Sequence, residues 1–345
     1  MTEQSPSRRV SVFSLGGTIA STNTAGASSG GVVPQLGAAD LVRAVPQLKE
    51  TAELETVAFR QVPSGDLTLG DLRELAAEIS ARFQDGVDGV VVTQGTDTIE
   101  ETSFALDLLV DAPQPVVVTG AMRNPTLPGP DGPANLLAAV LVAAAPAAAG
   151  AGAVVVFNDE IHAARFVRKG HTSSPSTFRS VTAGPIGWVV EGRPRIGLRP
   201  VPLARDVLAR PAGDRPVALL TCALGDDLRL VGELERLGYA GAVIDSFGGG
   251  HVPGHVVPAL AEVAARIPVV LASRTGGGEV LQETYGFPGS ERDLLAHGLI
   301  PAGFLDGRKA RILLSLLLAD GTRPAEVRTS FQRFLEAAVA SDRDR

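Results

Sequence analysis

The sequence is nearly without cysteine: Cys222 is the one cysteine among 345 residues. No disulfide can form within the chain, which fits a reducing compartment or simple indifference to redox state. Tyrosine is almost as scarce, so a role that needs a phenol hydroxyl has only Tyr239 and Tyr285 to draw on. Charge of one sign is not concentrated anywhere. The 31 basic and 38 acidic residues are interspersed, for a net charge of -7, and no basic stripe offers a surface for nucleic acid. Long hydrophobic runs are missing too. The most apolar stretch, residues 136–149, is alanine-rich and interrupted by Pro146, short of the about 20 residues that a bilayer-spanning helix needs. The opening MTEQSPSRRV has no apolar core of a secretory signal. These absences lead us to expect a soluble, cytoplasmic protein with no membrane or nucleic-acid partner. A glycine-rich GxGxxG with a downstream carboxylate and a GxxxxGK[ST] loop are both missing, which argues against a nucleotide-binding protein.

What is there is apolar material for a large core, 45% of the chain, in a length that suggests two or three domains. Short β-branched runs alternate with helical spacing. Strands are expected at 10–15, 89–93, 115–119 and 153–157, and helices at 69–83, 98–110 and 135–145. Unbroken runs such as GVVVT and AVVVF indicate parallel strands covered on both faces. The segment 191–215 is rich in Pro and Arg and reads as a linker. Beyond it the rhythm resumes, with strands at 216–221, 241–245 and 268–272 and helices at 227–237, 256–266, 309–318 and 324–339. The expected architecture is α/β: a larger N-terminal parallel-sheet domain over 1–190, and a smaller, Rossmann-like C-terminal α/β domain over 216–345.

Ligands of open parallel sheets bind beyond the carboxyl ends of the strands. Two such ends carry hydroxyl-rich turns, SLGGTIAST at 14–22 and TQGTDTIEET at 93–102. In the first, a glycine pair lets the backbone turn sharply and leaves Thr18 just past the strand. On this segment alone the commoner reading of Thr18 is a helix N-cap or turn threonine, and the other is an exposed nucleophile. In the second, Thr98 and Glu101 have the spacing of a capping box, and Asp97 reads as a helix-dipole partner. The same segment also supplies a hydroxyl, Thr96, and a carboxylate at the mouth of a buried strand, which is what amide hydrolysis requires.

These two segments resemble the signatures of the bacterial-type L-asparaginase/glutaminase family, GGTIAS at 16–21 for the first and VVVTQGTDTIEET at 90–102 for the second. The resemblance extends from about Val10 to about Leu335. It implies a threonine amidohydrolase that releases ammonia from the side chain of L-asparagine, with L-glutamine as the alternative substrate, and that needs no cofactor and no metal. It implies Thr18 as nucleophile and Thr96 as the second catalytic threonine. Asp97 becomes the carboxylate for the substrate amino group. Lys169, in ARFVRKGHTSSPSTF, is the lysine completing a group with Thr96 and Asp97; its bland alternative is a solvated surface lysine. Ser64, in VPSGD, is the contact of the substrate α-carboxylate. Glu291 is the acidic residue reaching the site from the second domain, with Glu283 as its rival. The resemblance also implies a homodimer or homotetramer with shared active sites.

The sequence departs from the family in three places. The tyrosine expected after the nucleophile is missing, and the aligned position is Gly31. Tyr285, in QETYGFPGSE, is either its replacement as a catalytic hydroxyl or a loop-packing residue. Gly65 stands where a glutamine is common in the substrate-binding site, and removes a ligand. His251, in GGGH, stands at a substrate-contacting asparagine of the secreted members. The Gly/Ser/Thr-rich stretch 20–31 reads as a lid over Thr18, or as a surface loop without a role. A silent amino-acid-binding homologue stays open because of the missing tyrosine. The amidotransferase subunit that shares the fold would need an RNA-facing domain for which 1–9 leaves no room.

Overall fold

The computed structural model describes residues 8–338 apart from 18, 20, 24–31, 35–36, 204–207 and 209–212. The chain divides into two compact units, Met1–Pro202 and Leu203–Arg345. The first runs β1 (Arg9–Ser14), β2 (Ser21–Asn23), β3 (Val32–Pro34), α1 (Ala38–Arg43), β4 (Glu53–Ala58), α2 (Leu69–Gln84), β5 (Gly89–Thr93), α3 (Ile99–Leu109), β6 (Val116–Thr119), α4 (Gly132–Ala143) and β7 (Ala153–Phe157). It continues with β8 (Glu160–Ala163), β9 (Arg168–Lys169), β10 (Phe178–Arg179), β11 (Gly187–Val190) and β12 (Arg193–Ile196).

Its main sheet has the order β12-β11-β8-β7-β6-β5-β1-β4. From β4 to β7 all neighbours are parallel, and β8, β11 and β12 extend the sheet antiparallel. The unbroken apolar runs are explained by cover on both faces. Val91 of β5 and Val117 of β6 face one core layer, with Leu136 and Ala139 of α4. Val90, Val92, Val116 and Val118 face the other, with Leu75 and Ile79 of α2 and Leu106 of α3. Helices α3 and α4 therefore lie on opposite faces while β5, β6 and β7 follow one another in space. The crossovers β5–α3–β6 and β6–α4–β7 consequently have opposite hands, an uncommon arrangement for parallel strands.

Two turns account for the antiparallel extension. Between β7 and β8 stand Asn158 and Asp159, with φ of 50° and 63°. Between β11 and β12 stand Glu191 and Gly192, with φ of 51° and 68°. Consecutive left-handed residues make the tight hairpin turn whose twist matches that of the strands. The stretch from residue 191 thus opens with a hairpin rather than a linker, and β12 pairs with β11 throughout its length. Helix α2 starts at Leu69, as its helical spacing predicts. Thr68 caps the Asp71 N–H, and the Asp71 carboxylate returns to the Thr68 N–H, a reciprocal cap.

The second unit runs β13 (Val217–Thr221), β14 (Gly241–Ser246), α5 (Val257–Ala264), β15 (Val269–Ser273), α6 (Glu291–Ala296), β16 (Ile300–Pro301), α7 (Gly307–Ala319) and α8 (Pro324–Ala338). Its sheet is parallel in the order β13-β14-β15-β16. The helix expected over 227–237 is only a 3₁₀ turn, Arg229–Glu233. The carboxylates of Asp226 and Asp227 accept the N–H groups of Leu228 and Arg229 and compete with helical bonding. The buried residues Leu228, Val231 and Leu234 recur every three residues, the period of a 3₁₀ helix. Among the described residues no helix is long and apolar enough to cross a membrane.

Candidate active site

The chain leaves β1 toward β4 and later crosses over β1 to reach β5, so the adjacent strands β1 and β5 send their connections in opposite directions. Their carboxyl ends flank the crevice where such sheets bind ligands. Three turns meet there. The turn after β1 carries Gly17, with φ +87°. A Cβ on Gly17 would stand 2.0 Å from the backbone nitrogen of Gly95. A Cβ on Gly95 would in turn stand 2.8 Å from Ser64 Oγ. Glycine at 17 and 95 is thus what lets the turns after β1, β4 and β5 close on one another. Thr98 Oγ1 donates to the Ser64 carbonyl at 3.0 Å, and Gln94 Nε2 donates to Thr98 Oγ1 at 3.2 Å. Thr98 does not cap α3 with its side chain; its hydroxyl ties two loops together, which corrects the capping-box reading.

Beyond Gly95 the chain makes a 3₁₀ turn, Thr96–Thr98, before α3. Here the structure brings three of the expected residues together. Lys169 Nζ donates to Thr96 Oγ1 at 2.9 Å and to Asp97 Oδ1 at 2.6 Å. The Lys169 side chain is 15% exposed and that of Asp97 79%. An ion pair with so wet a partner adds little stability, about 0–1 kcal/mol. Its consequence is geometric: it holds an ammonium against a buried threonine hydroxyl. Ser64 is 3% exposed, and its Oγ has no hydrogen-bond partner among the described residues. A buried hydroxyl without a partner is costly unless a ligand or water completes it. Beside it, nothing lies within 4 Å of a Cβ built on Gly65. Thr18 and Gly31 lie outside the described residues, as do 24–30 of the expected lid; Ser21–Asn23 pairs antiparallel with Val32–Pro34.

A second cluster lies in the second unit and joins Glu291, His251 and Tyr285. Glu291 is fully buried at the start of α6. Its carboxylate accepts the N–H groups of Thr284 at 2.8 Å and Tyr285 at 2.6 Å, and His251 Nε2 at 3.2 Å. Burial pushes this carboxyl up. The backbone N–H groups of Tyr285, Glu291 and Thr284, with the charge of His251, outweigh it and hold the group below the ordinary carboxylate range. The His251 ring meets Tyr285 and Phe287 edge-on, at 5.0 and 5.2 Å between centroids. Tyr285 itself is 44% exposed. Glu283 is exposed. Reading the sequence missed Glu100, Gln94 and Thr98 as parts of the first site; the run TQGTDTIEE contained them, but nothing in its spacing says which side chains turn inward.

Comparison with known proteins identifies the family of this two-unit chain. The family described as Asparaginase, N-terminal, matches residues 9–202, and the Glutaminase/Asparaginase C-terminal domain matches residues 216–331. The chain is 36% identical to an L-asparaginase of Bacillus licheniformis over 322 residues, covering 90% of this chain and 96% of that one. It is 38% identical to a probable L-asparaginase of Deinococcus radiodurans, covering 94% and 97%, and 33% identical to L-asparaginase 2 of Escherichia coli, covering 94% and 93%. Among solved structures, a probable cytoplasmic L-asparaginase from Campylobacter jejuni is 29% identical, with a TM-score of 0.83 over 95% of this chain and 100% of that one. A two-unit α/β chain matched along both of its units by the two domains of one family belongs to that family, the asparaginases.

Proposed function

We propose that this protein is an L-asparaginase that hydrolyses L-asparagine to L-aspartate and ammonia. The observation that carries the reading is the Lys169 ammonium shared between Thr96 Oγ1 and Asp97 Oδ1. A hydroxyl is a weak nucleophile and a weak proton acceptor at its free pKa. A positive charge 2.9 Å from Thr96 Oγ1 favours its deprotonated form, so Thr96 moves protons at the amide. In this proposal Thr18 attacks the amide carbon, ammonia leaves, and water then cleaves the aspartyl ester. Backbone N–H groups of the turns after β1 and β5 stabilise the tetrahedral oxyanion. Asp97 Oδ1 is committed to Lys169, and the exposed remainder of the carboxylate takes the substrate ammonium. The buried Ser64 hydroxyl takes the α-carboxylate.

The open space at Gly65 favours one further reading, a mixed glutaminase-asparaginase, because it leaves room for a longer side chain. Tyr285 enters the proposal as the replacement hydroxyl for the position occupied by Gly31. Glu291 and His251 enter first as the groups that hold the Tyr285 loop, since a direct substrate contact by Glu291 competes with three internal hydrogen bonds. A homodimer or homotetramer and a cytoplasmic location complete the reading.

The experiment is ammonia release from L-asparagine and from L-glutamine, measured separately for wild type and Thr18→Ala. The expected result is turnover of asparagine by wild type and a loss of about 10³-fold or more in the variant. The glutamine rate sets the specificity. Folded wild type that releases ammonia from neither amide overturns the proposal in favour of a silent amino-acid-binding protein. Full turnover by Tyr285→Phe removes Tyr285 from the mechanism.

A further inference from the structure

The five-residue segment Thr96 to Glu100 holds Lys169 at both of its ends. Thr96 Oγ1 and Asp97 Oδ1 accept from the ammonium, and Glu100 Oε2 accepts from the Lys169 backbone N–H at 2.9 Å. Glu100 is 1% exposed and sits in the first turn of α3, where the helix dipole favours a carboxylate. Lys169 belongs to a hairpin of two-residue strands, β9 and β10, separate from the main sheet. So short a pairing has little stability of its own, and its place is set by what anchors it. Phe178, opposite Lys169 in register, packs on Phe157 at 4.8 Å between centroids. That contact fixes the hairpin's depth but says nothing of where it lies along α3. The bond from Lys169 N–H to Glu100 does. A lysine side chain has several freely rotating bonds, and its tip is defined only when the backbone end is fixed as well.

We infer that Glu100 is a positioning residue of the proposed reaction. Its carboxylate pins the Lys169 backbone so that the ammonium spans Thr96 Oγ1 and Asp97 Oδ1. Glu100 acts through Lys169 and touches no substrate. A hydrogen bond from a backbone N–H to a buried carboxylate is among the stronger of its kind. The inference rests on the hydrolase reading for its catalytic consequence alone; the geometric part stands by itself.

The test compares wild type, Glu100→Gln and Glu100→Ala. Glutamine keeps an acceptor oxygen for the Lys169 N–H, and alanine removes it. Three quantities are read: hydrogen exchange at the Lys169 amide, the Lys169 ammonium resonance by NMR, and kcat and KM for L-asparagine. Glu100→Ala is expected to lose amide protection and to show an ammonium averaged by motion. Its kcat falls ~10–100-fold at a KM within about twofold of wild type, the scale expected for a catalytic group displaced by about 1 Å. Glu100→Gln keeps the protection, the ammonium signal and a kcat within about threefold, because the acceptor is conserved. Equal losses in both variants overturn the inference, since packing or charge rather than the acceptor then decides. So does an unprotected Lys169 amide in Glu100→Ala with kcat unchanged. If wild type turns over neither asparagine nor glutamine, the hydrolase reading falls. The amide and ammonium signals then still decide whether Glu100 positions Lys169: averaging in Glu100→Ala alone supports it, and no change overturns it.

Discussion

Replacing Gly17 by alanine tests whether the three turns must touch for the site to exist. Two costs follow from the structure. Gly17 has φ +87°, and a Cβ in that region is strained by roughly 1–2 kcal/mol. The same Cβ would lie 2.0 Å from Gly95 N and 2.3 Å from Gly95 Cα. These are backbone atoms, so no rotamer change relieves the clash, and overpacking of this kind costs typically about 1–3 kcal/mol. Restoring an ordinary contact of 3.4 Å separates the turns after β1 and β5 by about 1.4 Å. At least ~2 kcal/mol of destabilisation in a unit of some 200 residues lowers Tm by roughly 4–8 °C or more. A misplacement of about 1 Å lowers kcat ~10²-fold. The assay is calorimetry together with steady-state ammonia release. Gly65→Ala is the stability control: its Cβ meets nothing within 4 Å, and its stability should change by no more than a surface substitution does, about 0.5 kcal/mol, or roughly 1–2 °C in Tm. A Gly17→Ala protein with wild-type Tm and kcat, or a Gly65→Ala protein as unstable as Gly17→Ala, would mean that the three turns need not touch for the site to form.

Lys169→Met keeps an unbranched stem of similar length and removes the ammonium. We expect kcat to fall by ~10²–10⁴, the range of a lost proton-transfer group, while Tm changes little because the Asp97 pair is wet; kcat within about threefold of wild type would exclude the proposed role. Glu291 predicts an acid-dependent stability. Its folded carboxyl lies below its ordinary value of 4.5, so its contribution is present above that value and is lost as pH falls through the lower, folded value. Melting temperatures of wild type and Glu291→Gln, followed from pH 7 to pH 3, should converge as the pH falls, and a gap that stays constant contradicts the assignment.

The fold was legible wherever a local period carried it. The runs GVVVT and AVVVF gave strands with the expected bounds, Gly89–Thr93 and Ala153–Phe157, because a strand covered on both faces has no polar side to blur it. Edge and hairpin strands were not legible. Glu53–Ala58 pairs on one side only and reads ELETVA, with no unbroken apolar run, and β8, β11 and β12 depend on turns whose signal is two residues long. The helix expected over 227–237 failed because its leucines match a helical period while the flanking aspartates bond the backbone elsewhere.

The candidate site divides along the same line. Local sequence places a threonine, an aspartate and a glycine-bound turn at the end of a buried strand, because strand, turn and helix start are local matters read within about ten residues. It also placed the chain in its family, through two long segments. Packing of remote segments is what lets Lys169, 72 residues beyond Asp97 in the chain, bridge Thr96 and Asp97, with its backbone held by Glu100. Only the structure turned the Thr98 hydroxyl from a cap into a tie to Ser64, and committed Glu291 to the Tyr285 loop. Each of these is a contact between segments remote in sequence, and which side chain turns inward is settled by packing between elements, which no local period encodes.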